Sequence, residues 1–95
     1  MRYILILALG SLSFGSFAAK DPEAVFNRSC GICHNGQLPL APKKGDTQAW
    51  QSHLDQGMDV LLKHVANGYN SMPPGGLCMD CTAQDHKAVI EWMSK

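Results

Sequence analysis

The chain has 95 residues, with eight basic and eight acidic side chains and a formal net charge of zero. It has no basic stripe, so nucleic acid is not expected as a partner. A single domain this short buries little apolar surface, and such domains are commonly stabilised by a disulfide, a metal or a cofactor. The four cysteines are candidates for that role.

The first segment of the chain, residues 1–18, has the pattern of a secretory signal peptide. A basic residue and an apolar stretch are followed by Ser16 and Ala18, small residues at positions −3 and −1 of a cleavage site. We therefore expect cleavage between Ala18 and Ala19. Glycines and serines interrupt the apolar stretch, so a retained membrane-spanning helix of about 20 residues is the weaker alternative. The expected mature chain, residues 19–95, is one exported domain without stable membrane insertion.

The spacing of apolar residues predicts three or four helices and no strand, and hence an all-α fold. Prolines and glycines mark two loops, over residues 35–46 and 69–81. The helices are predicted over residues 22–33, 47–56, 60–67 and 83–93.

Capping residues support the third and the last of these helices. Asp59 can cap the third helix. Thr82 and Asp85 have the spacing of a capping box at the start of the last one. In so short a chain, the first and last helices are expected to pack together through Phe26 and Trp92.

The sequence CGICH at residues 30–34 matches C-x-x-C-H, the attachment signature of c-type haem. Two cysteines at this spacing, Cys30 and Cys33, can lie on one face of a helical turn and form thioethers with the two haem vinyl groups. His34 can then reach the iron from the same side. The motif predicts one covalently bound haem.

Three other uses of these cysteines are disfavoured. An exported thiol-disulfide oxidoreductase is one, but the chain is short and lacks a βαβ pattern. A zinc-stabilised binding module with two C-x-x-C pairs is another. However, 44 residues separate the pairs, and an oxidising compartment works against four free thiolates. A plain disulfide between Cys30 and Cys33 would leave the adjacent His34 without a role.

The iron of an electron carrier usually takes a second protein ligand, and a methionine raises the reduction potential relative to a second histidine. Met72 is the best candidate because it precedes two prolines whose stiff backbone can hold a thioether over the haem. His64 is the bis-histidine alternative. An iron closed in this way has no open position, so no enzyme activity is expected. The remaining candidates are expected in the core (Met58, Met79 and Met93) or on helix surfaces (His53 and His86).

A second C-x-x-C pair, Cys78 and Cys81, is followed by Thr82 instead of histidine. It is therefore not a second haem site. In an exported chain a local disulfide is the natural interpretation, and it could fix the Met72 loop against the last helix. A pair with a redox role of its own is the alternative.

The sequence resembles the class I cytochromes c, and the cytochrome c5 group in particular. The resemblance rests on CGICH at residues 30–34, APKKGD at 41–46, the pair Ala49-Trp50, NGYNSMPPGG at 67–76 and CMDC at 78–81. It implies a small class I cytochrome c fold wrapped around one covalent haem. It also implies His34 and Met72 as axial ligands and a disulfide between Cys78 and Cys81.

The resemblance further implies the surroundings of the haem and a function. Pro42 is similar to the family proline that orients the proximal histidine through its ring N–H, with Pro39 as the other candidate. Trp50 is similar to an aromatic near the propionates, or else is a core residue. The family carries single electrons between respiratory complexes in the periplasm through transient contacts. The near-neutral charge predicts a modest salt dependence of those contacts.

Overall fold

A computed structural model describes residues 18–95, so the predicted signal peptide, except for Ala18, lies outside the described residues. Within this range the chain forms four α-helices, two 3₁₀ turns and no β-strand, which confirms the all-α prediction. None of these helices is long and apolar enough to cross a membrane. The helices are α1 (Pro22–Arg28), α2 (Thr47–Leu54), α3 (Met58–Asn67) and α4 (Ala83–Met93), and the 3₁₀ turns are Cys30–Ile32 and Pro74–Leu77.

Helix α1 ends at Arg28, so its predicted extension to residue 33 is wrong. Ser29 leaves the helical region at φ −133° and ψ −69°, and the 3₁₀ turn Cys30–Ile32 follows at once. This break folds the chain back on α1, and the backbone at Gly31 comes close to Phe26. A Cβ atom at Gly31 would lie only 2.8 Å from the Phe26 carbonyl oxygen. The CGICH motif therefore lies on a tight turn that requires glycine at its second position.

Helix α3 begins two residues earlier than predicted, at Met58, and Asp59 is not its cap. Gly57 occupies the N-cap position at φ 98°, a left-handed conformation that glycine adopts without steric penalty. Because Gly57 reverses the chain so sharply after α2, the new helix starts on the next residue. Asp59 then lies in the first turn, where its negative charge interacts favourably with the positive end of the helix dipole.

Helix α4 has the predicted bounds and the predicted capping box. The Thr82 hydroxyl accepts the Asp85 N–H, and the Asp85 carboxylate accepts the Thr82 N–H. The same carboxylate accepts the Lys20 backbone N–H at 2.7 Å and the Lys20 ammonium at 2.9 Å. These hydrogen bonds, led by that from the Thr82 backbone, hold the pKa of Asp85 well below its usual range. Asp85 thus fastens the start of the domain to α4.

The core forms where α1 and α4 pack against each other and α3 closes over them. The rings of Phe26 and Trp92 meet with centroids 5.2 Å apart, as predicted from the sequence. The Lys44 ammonium lies 4.2 Å from the Trp92 ring centroid, a cation–π contact that ties the loop after the CGICH turn to α4. The buried apolar residues are Val25, Phe26, Trp50, Leu61, Cys78, Val89, Ile90 and Met93.

Two side-chain predictions are wrong. Met79 is 89% exposed at the tip of a loop, whereas a core position was expected. His86 is only 7% exposed, because it precedes Val89 and Ile90 by one helical turn and so shares the inner face of α4. Burial lowers the pKa of His86, and its Nε2 has no hydrogen-bond partner within the described residues.

Candidate functional site

One apolar cavity of about 320 Å³ lies between the CGICH turn, the inner faces of α3 and α4, and the loop after α3. It brings together residues from both halves of the chain. No lysine, arginine, aspartate or glutamate of the described residues lines it. The predicted site residues among its lining are Cys30, Cys33, His34, Pro39, Pro42, Trp50 and Met72.

Cys30 and Cys33 are partly buried, have free thiols and lie at the two ends of one turn. The turn is closed by two N–H donors to the Cys30 carbonyl oxygen, from Cys33 at 3.2 Å and from His34 at 2.9 Å. Burial raises the pKa of the Cys30 thiol. Reactive cysteines of oxidoreductases have lowered pKa values instead, so Cys30 does not have the environment of a reactive thiol.

The ring of His34 is fixed by a hydrogen bond from its Nδ1 to the Pro42 carbonyl oxygen, at 2.8 Å. A carbonyl can only accept, so Nδ1 carries the proton and the lone pair of Nε2 is available to a metal. The backbone is held as well, because Lys44 N–H donates to the His34 carbonyl oxygen at 2.9 Å. Pro39 lines the cavity, but the carbonyl bonded to the ring belongs to Pro42.

Trp50 is both a core residue and a neighbour of the histidine. It is 4% exposed, and its indole N–H donates to the Lys43 carbonyl oxygen at 2.9 Å. Its ring is stacked on His34, with centroids 5.6 Å apart. Trp50 therefore supports the loop that carries Pro42 and limits rotation of the His34 ring.

On the opposite side of the cavity, Met72 is held in a two-residue hairpin. Tyr69 N–H donates to the Met72 carbonyl oxygen at 3.0 Å, and Met72 N–H donates back to the Tyr69 carbonyl oxygen at 2.8 Å. Asn70, in the turn between them, has φ 51°, a conformation that asparagine tolerates better than most residues. The backbone of Met72 is thus fixed on both sides before the two prolines that follow.

Gly76 makes room for the methionine side chain. A Cβ atom at this position would lie 3.0 Å from the Met72 methyl carbon, and the residue is left-handed at φ 58°. The neighbouring Gly75 is also left-handed, at φ 76°, but has nothing within 4 Å of its Cβ position. Of the glycines within residues 18–95, Gly76 is the one whose Cβ position meets the Met72 side chain, whereas Gly68, at φ 87°, would meet the Met72 carbonyl oxygen at 3.1 Å.

These residues fit a haem. Two thiols on one turn, an imidazole nitrogen with a free lone pair and a thioether sulfur line a single apolar cavity. A soft thioether and a neutral imidazole are ligands that haem iron takes. Because Gly76 has no side chain, the methyl group of the Met72 thioether has room beside it.

Comparison with known proteins shows which family the chain belongs to. The family described as cytochrome c oxidase, cbb3-type, subunit III matches residues 17–93. Cytochrome c5 of Azotobacter vinelandii is 41% identical over 78 residues, which cover 80% of this chain and 94% of that protein. The chain belongs to the cytochrome c5 family, among the class I cytochromes c.

Solved structures of similar chains support the fold. A mono-haem ferrocytochrome c from Shewanella putrefaciens is 47% identical, with a TM-score of 0.71 over 82% of this chain and 96% of that one. A chain of an electron-transfer complex of nitrite reductase with cytochrome c is 33% identical, with a TM-score of 0.69 over 81% of this chain and 95% of that one. The cytochrome thus has the class I fold, carries one covalently bound haem c and is a monohaem electron carrier.

The second cysteine pair of the cytochrome, Cys78 and Cys81, is joined in a disulfide with Cα atoms 5.4 Å apart. With Asp80 these cysteines form the only close group of three metal-ligating side chains within residues 18–95. Both thiols are consumed by the disulfide, and Cys30 and Cys33 lie outside this group. The four cysteines therefore do not build one zinc site.

Two contacts around the site had no signal in the sequence. The His64 ring stacks on Tyr69, the first residue of the Met72 hairpin, with centroids 3.9 Å apart and an interplanar angle of 13°. The Ser29 hydroxyl donates to the Leu77 carbonyl oxygen at 3.3 Å and so joins the two loops that face each other across the cavity. Both contacts depend on how distant segments meet, and neither follows a spacing rule.

Proposed function

We propose that Cys30 and Cys33 form the two thioether bonds to the haem, and that His34 and Met72 are its axial ligands. The observation that carries this assignment is the single uncharged cavity lined by all four side chains. Three of these residues lie on the turn closed through the Cys30 carbonyl oxygen, and Met72 lies in a hairpin closed by two backbone hydrogen bonds.

When bound, the haem supplies a one-electron couple between ferric and ferrous iron. The chain's own groups tune and protect that couple. Pro42 fixes the His34 tautomer and makes Nε2 a better donor. Met72 contributes a neutral thioether, which favours the ferrous state relative to a second imidazole. With His34 and Met72 both bound to it, the iron would have no place for a substrate, so the protein would exchange electrons with its redox partners and catalyse no other reaction.

We assign the protein to the periplasm, as a carrier between respiratory redox proteins. The signal-peptide pattern supports export, and the Cys78–Cys81 disulfide is stable in an oxidising compartment. A chain similar to this one occurs in a complex of nitrite reductase with cytochrome c, which supports transient docking to a larger redox protein.

Replacing Met72 tests the axial assignment. In the oxidised holoprotein, Met72→Ala should remove the weak absorption band at the red end of the spectrum that an iron(III)–sulfur bond gives. The haem should remain, because it is held covalently. Met79→Ala is the matched control, since Met79 is 89% exposed and does not line the cavity. Intact mass should show one haem in both variants.

The opposite results would reject the assignment. A band that survives Met72→Ala would mean that another residue is the sixth ligand. His64→Phe checks the remaining alternative, since His64 also lines the cavity. If the bis-histidine arrangement is correct, the wild-type protein has no such band and only His64→Phe changes its spectrum.

A further inference from the structure

The two residues of the Cys78–Cys81 disulfide differ in their access to solvent. Cys78 is 3% exposed, whereas Cys81 is partly exposed. The loop between them is open, since Met79 and Asp80 are both exposed. A thiolate from another molecule can therefore reach the Cys81 sulfur more readily. In thiol–disulfide exchange the sulfur that is not attacked leaves as a thiolate, which here is Cys78.

Arg28 lies where that leaving thiolate would form. Its Nη2 is 2.9 Å from the Cys78 sulfur, and the same nitrogen is 2.7 Å from an Asp80 carboxylate oxygen. A neighbouring cation lowers the pKa of a thiol, and a thiol of lower pKa leaves faster. A second cation, Lys20, binds the Asp80 carbonyl oxygen through Nζ at 2.8 Å. The Asp80 carboxylate oxygen that pairs with Arg28 lies 3.6 Å from the Cys78 sulfur, so Arg28 is the nearer of the two charged groups.

The disulfide loop is also connected to the Met72 side of the cavity. Cys78 N–H donates to the Gly75 carbonyl oxygen at 3.0 Å. The next residue, Gly76, is the one whose Cβ position lies 3.0 Å from the Met72 methyl carbon. Loss of the S–S bond would therefore loosen the turn against which Met72 rests.

We propose that Cys78–Cys81 is a reversible thiol–disulfide site that accepts two electrons from a protein dithiol, and that its redox state changes how firmly Met72 is held. A donor thiolate attacks the Cys81 sulfur, the S–S bond breaks, and Cys78 leaves as a thiolate beside Arg28. The donor's second thiolate then attacks the donor sulfur of the mixed disulfide and releases Cys81. The donor ends as a disulfide, and its two protons end on Cys78 and Cys81.

The rate of reduction of the holoprotein by dithiothreitol tests the site. Thiols are trapped by alkylation and counted by intact mass, while far-UV circular dichroism reports the fold. Arg28→Gln should slow reduction about three- to tenfold, because it removes the charge that stabilises the leaving thiolate. Arg28→Lys should restore part of the rate. Lys63→Gln is the matched control, since it removes one positive charge from an exposed position on α3.

Two outcomes would overturn the reactive site. One is reduction of Arg28→Gln and Lys63→Gln at equal rates, which would mean that the guanidinium has no effect on the leaving group. The other is the appearance of thiols only together with loss of the helical signal, which would mean that the disulfide is accessible only in the unfolded chain. Neither measurement depends on which residue ligates the iron.

The double variant Cys78→Ser/Cys81→Ser tests the coupling, which rests on the ligation by Met72 proposed above. It mimics the dithiol without any reductant, so the haem can be studied fully oxidised. The red-end band should weaken or shift relative to wild type. An unchanged band would overturn the coupling and leave the exchange site intact. A wrong axial assignment would be recognised separately, because the band would then survive Met72→Ala.

Discussion

Gly76 is the position where the absence of a side chain makes room for the Met72 thioether. Its left-handed backbone and its contact with the Met72 methyl group make two separate demands. Gly75 makes only the first of them, because its Cβ position faces open space. Comparing substitutions at these two glycines therefore separates the cost of the left-handed backbone from the displacement of the Met72 side chain.

Gly76→Ala should perturb the red-end band of the oxidised holoprotein, because the new methyl group displaces the Met72 thioether. Gly75→Ala should leave the band unchanged. Both variants place alanine in a left-handed conformation, which costs roughly 1–2 kcal/mol of folding free energy in each case. Absorption spectra and urea unfolding of the two holoproteins provide the check. Equal spectra with equal losses of stability would show that Met72 does not need the room beside Gly76.

The residues with covalent chemistry could be predicted from the sequence because their chemistry fixes their spacing. Cys30, Cys33 and His34 must be adjacent in a set order to serve one haem. The burial of His86 depends on which face of α4 meets the core, and the exposure of Met79 depends on the path of its loop. Both were predicted wrongly because a single sequence does not fix those packing choices.

The last helix is the element whose structure follows most directly from local sequence. Its reciprocal capping box satisfies N–H groups that would otherwise lack a partner at the helix start. Thr82→Ala should therefore lower the free energy of unfolding by about 1 kcal/mol. Thr47→Ala is the control, since Thr47 is exposed on the first turn of α2, where Asp46 is the cap.

Urea denaturation of the two holoproteins, followed by circular dichroism, measures this difference. Thr47→Ala should stay within about 0.5 kcal/mol of wild type, as exposed substitutions away from caps usually do. Equal effects of the two substitutions would mean that the N-terminus of α4 is held by Lys20 and Asp85 alone.

The C-terminal end of α1 and the start of α3 could not be predicted in the same way. Pro22 and Asp21 mark the start of α1, but its end depends on Ser29 turning the chain so that Gly31 contacts Phe26. Local propensity accordingly predicts a longer helix, and tertiary packing overrides it.

At the scale of the whole molecule, charge and exposed apolar surface are segregated. Two segments that contribute residues to the cavity lining, residues 29–42 and residues 64–79 (the end of α3 and the loop after it), contain no lysine, arginine, aspartate or glutamate. The exposed large apolar side chains within residues 18–95 all lie on these two segments: Ile32, Leu38, Leu40, Tyr69, Leu77 and Met79. Four of these side chains line the cavity: Leu38, Leu40, Tyr69 and Leu77. Exposed apolar side chains gathered around one site mark an interaction surface, so redox partners are expected to dock on this uncharged face.

The rate of electron self-exchange between two copies, measured by NMR line broadening, tests this expectation without a partner protein. Two uncharged faces should meet at a rate that changes less than about threefold between roughly 0.01 M and 0.5 M salt, because screening acts mainly on exposed charges.

Leu40 is 97% exposed at the edge of the cavity. Leu40→Glu should slow exchange in low salt by like-charge repulsion, and added salt should restore the rate. Gln84→Glu adds the same charge to an exposed position on the first turn of α4, outside the cavity, and should behave as wild type. If Gln84→Glu slowed exchange as much as Leu40→Glu, net charge and not the uncharged face would control the encounter.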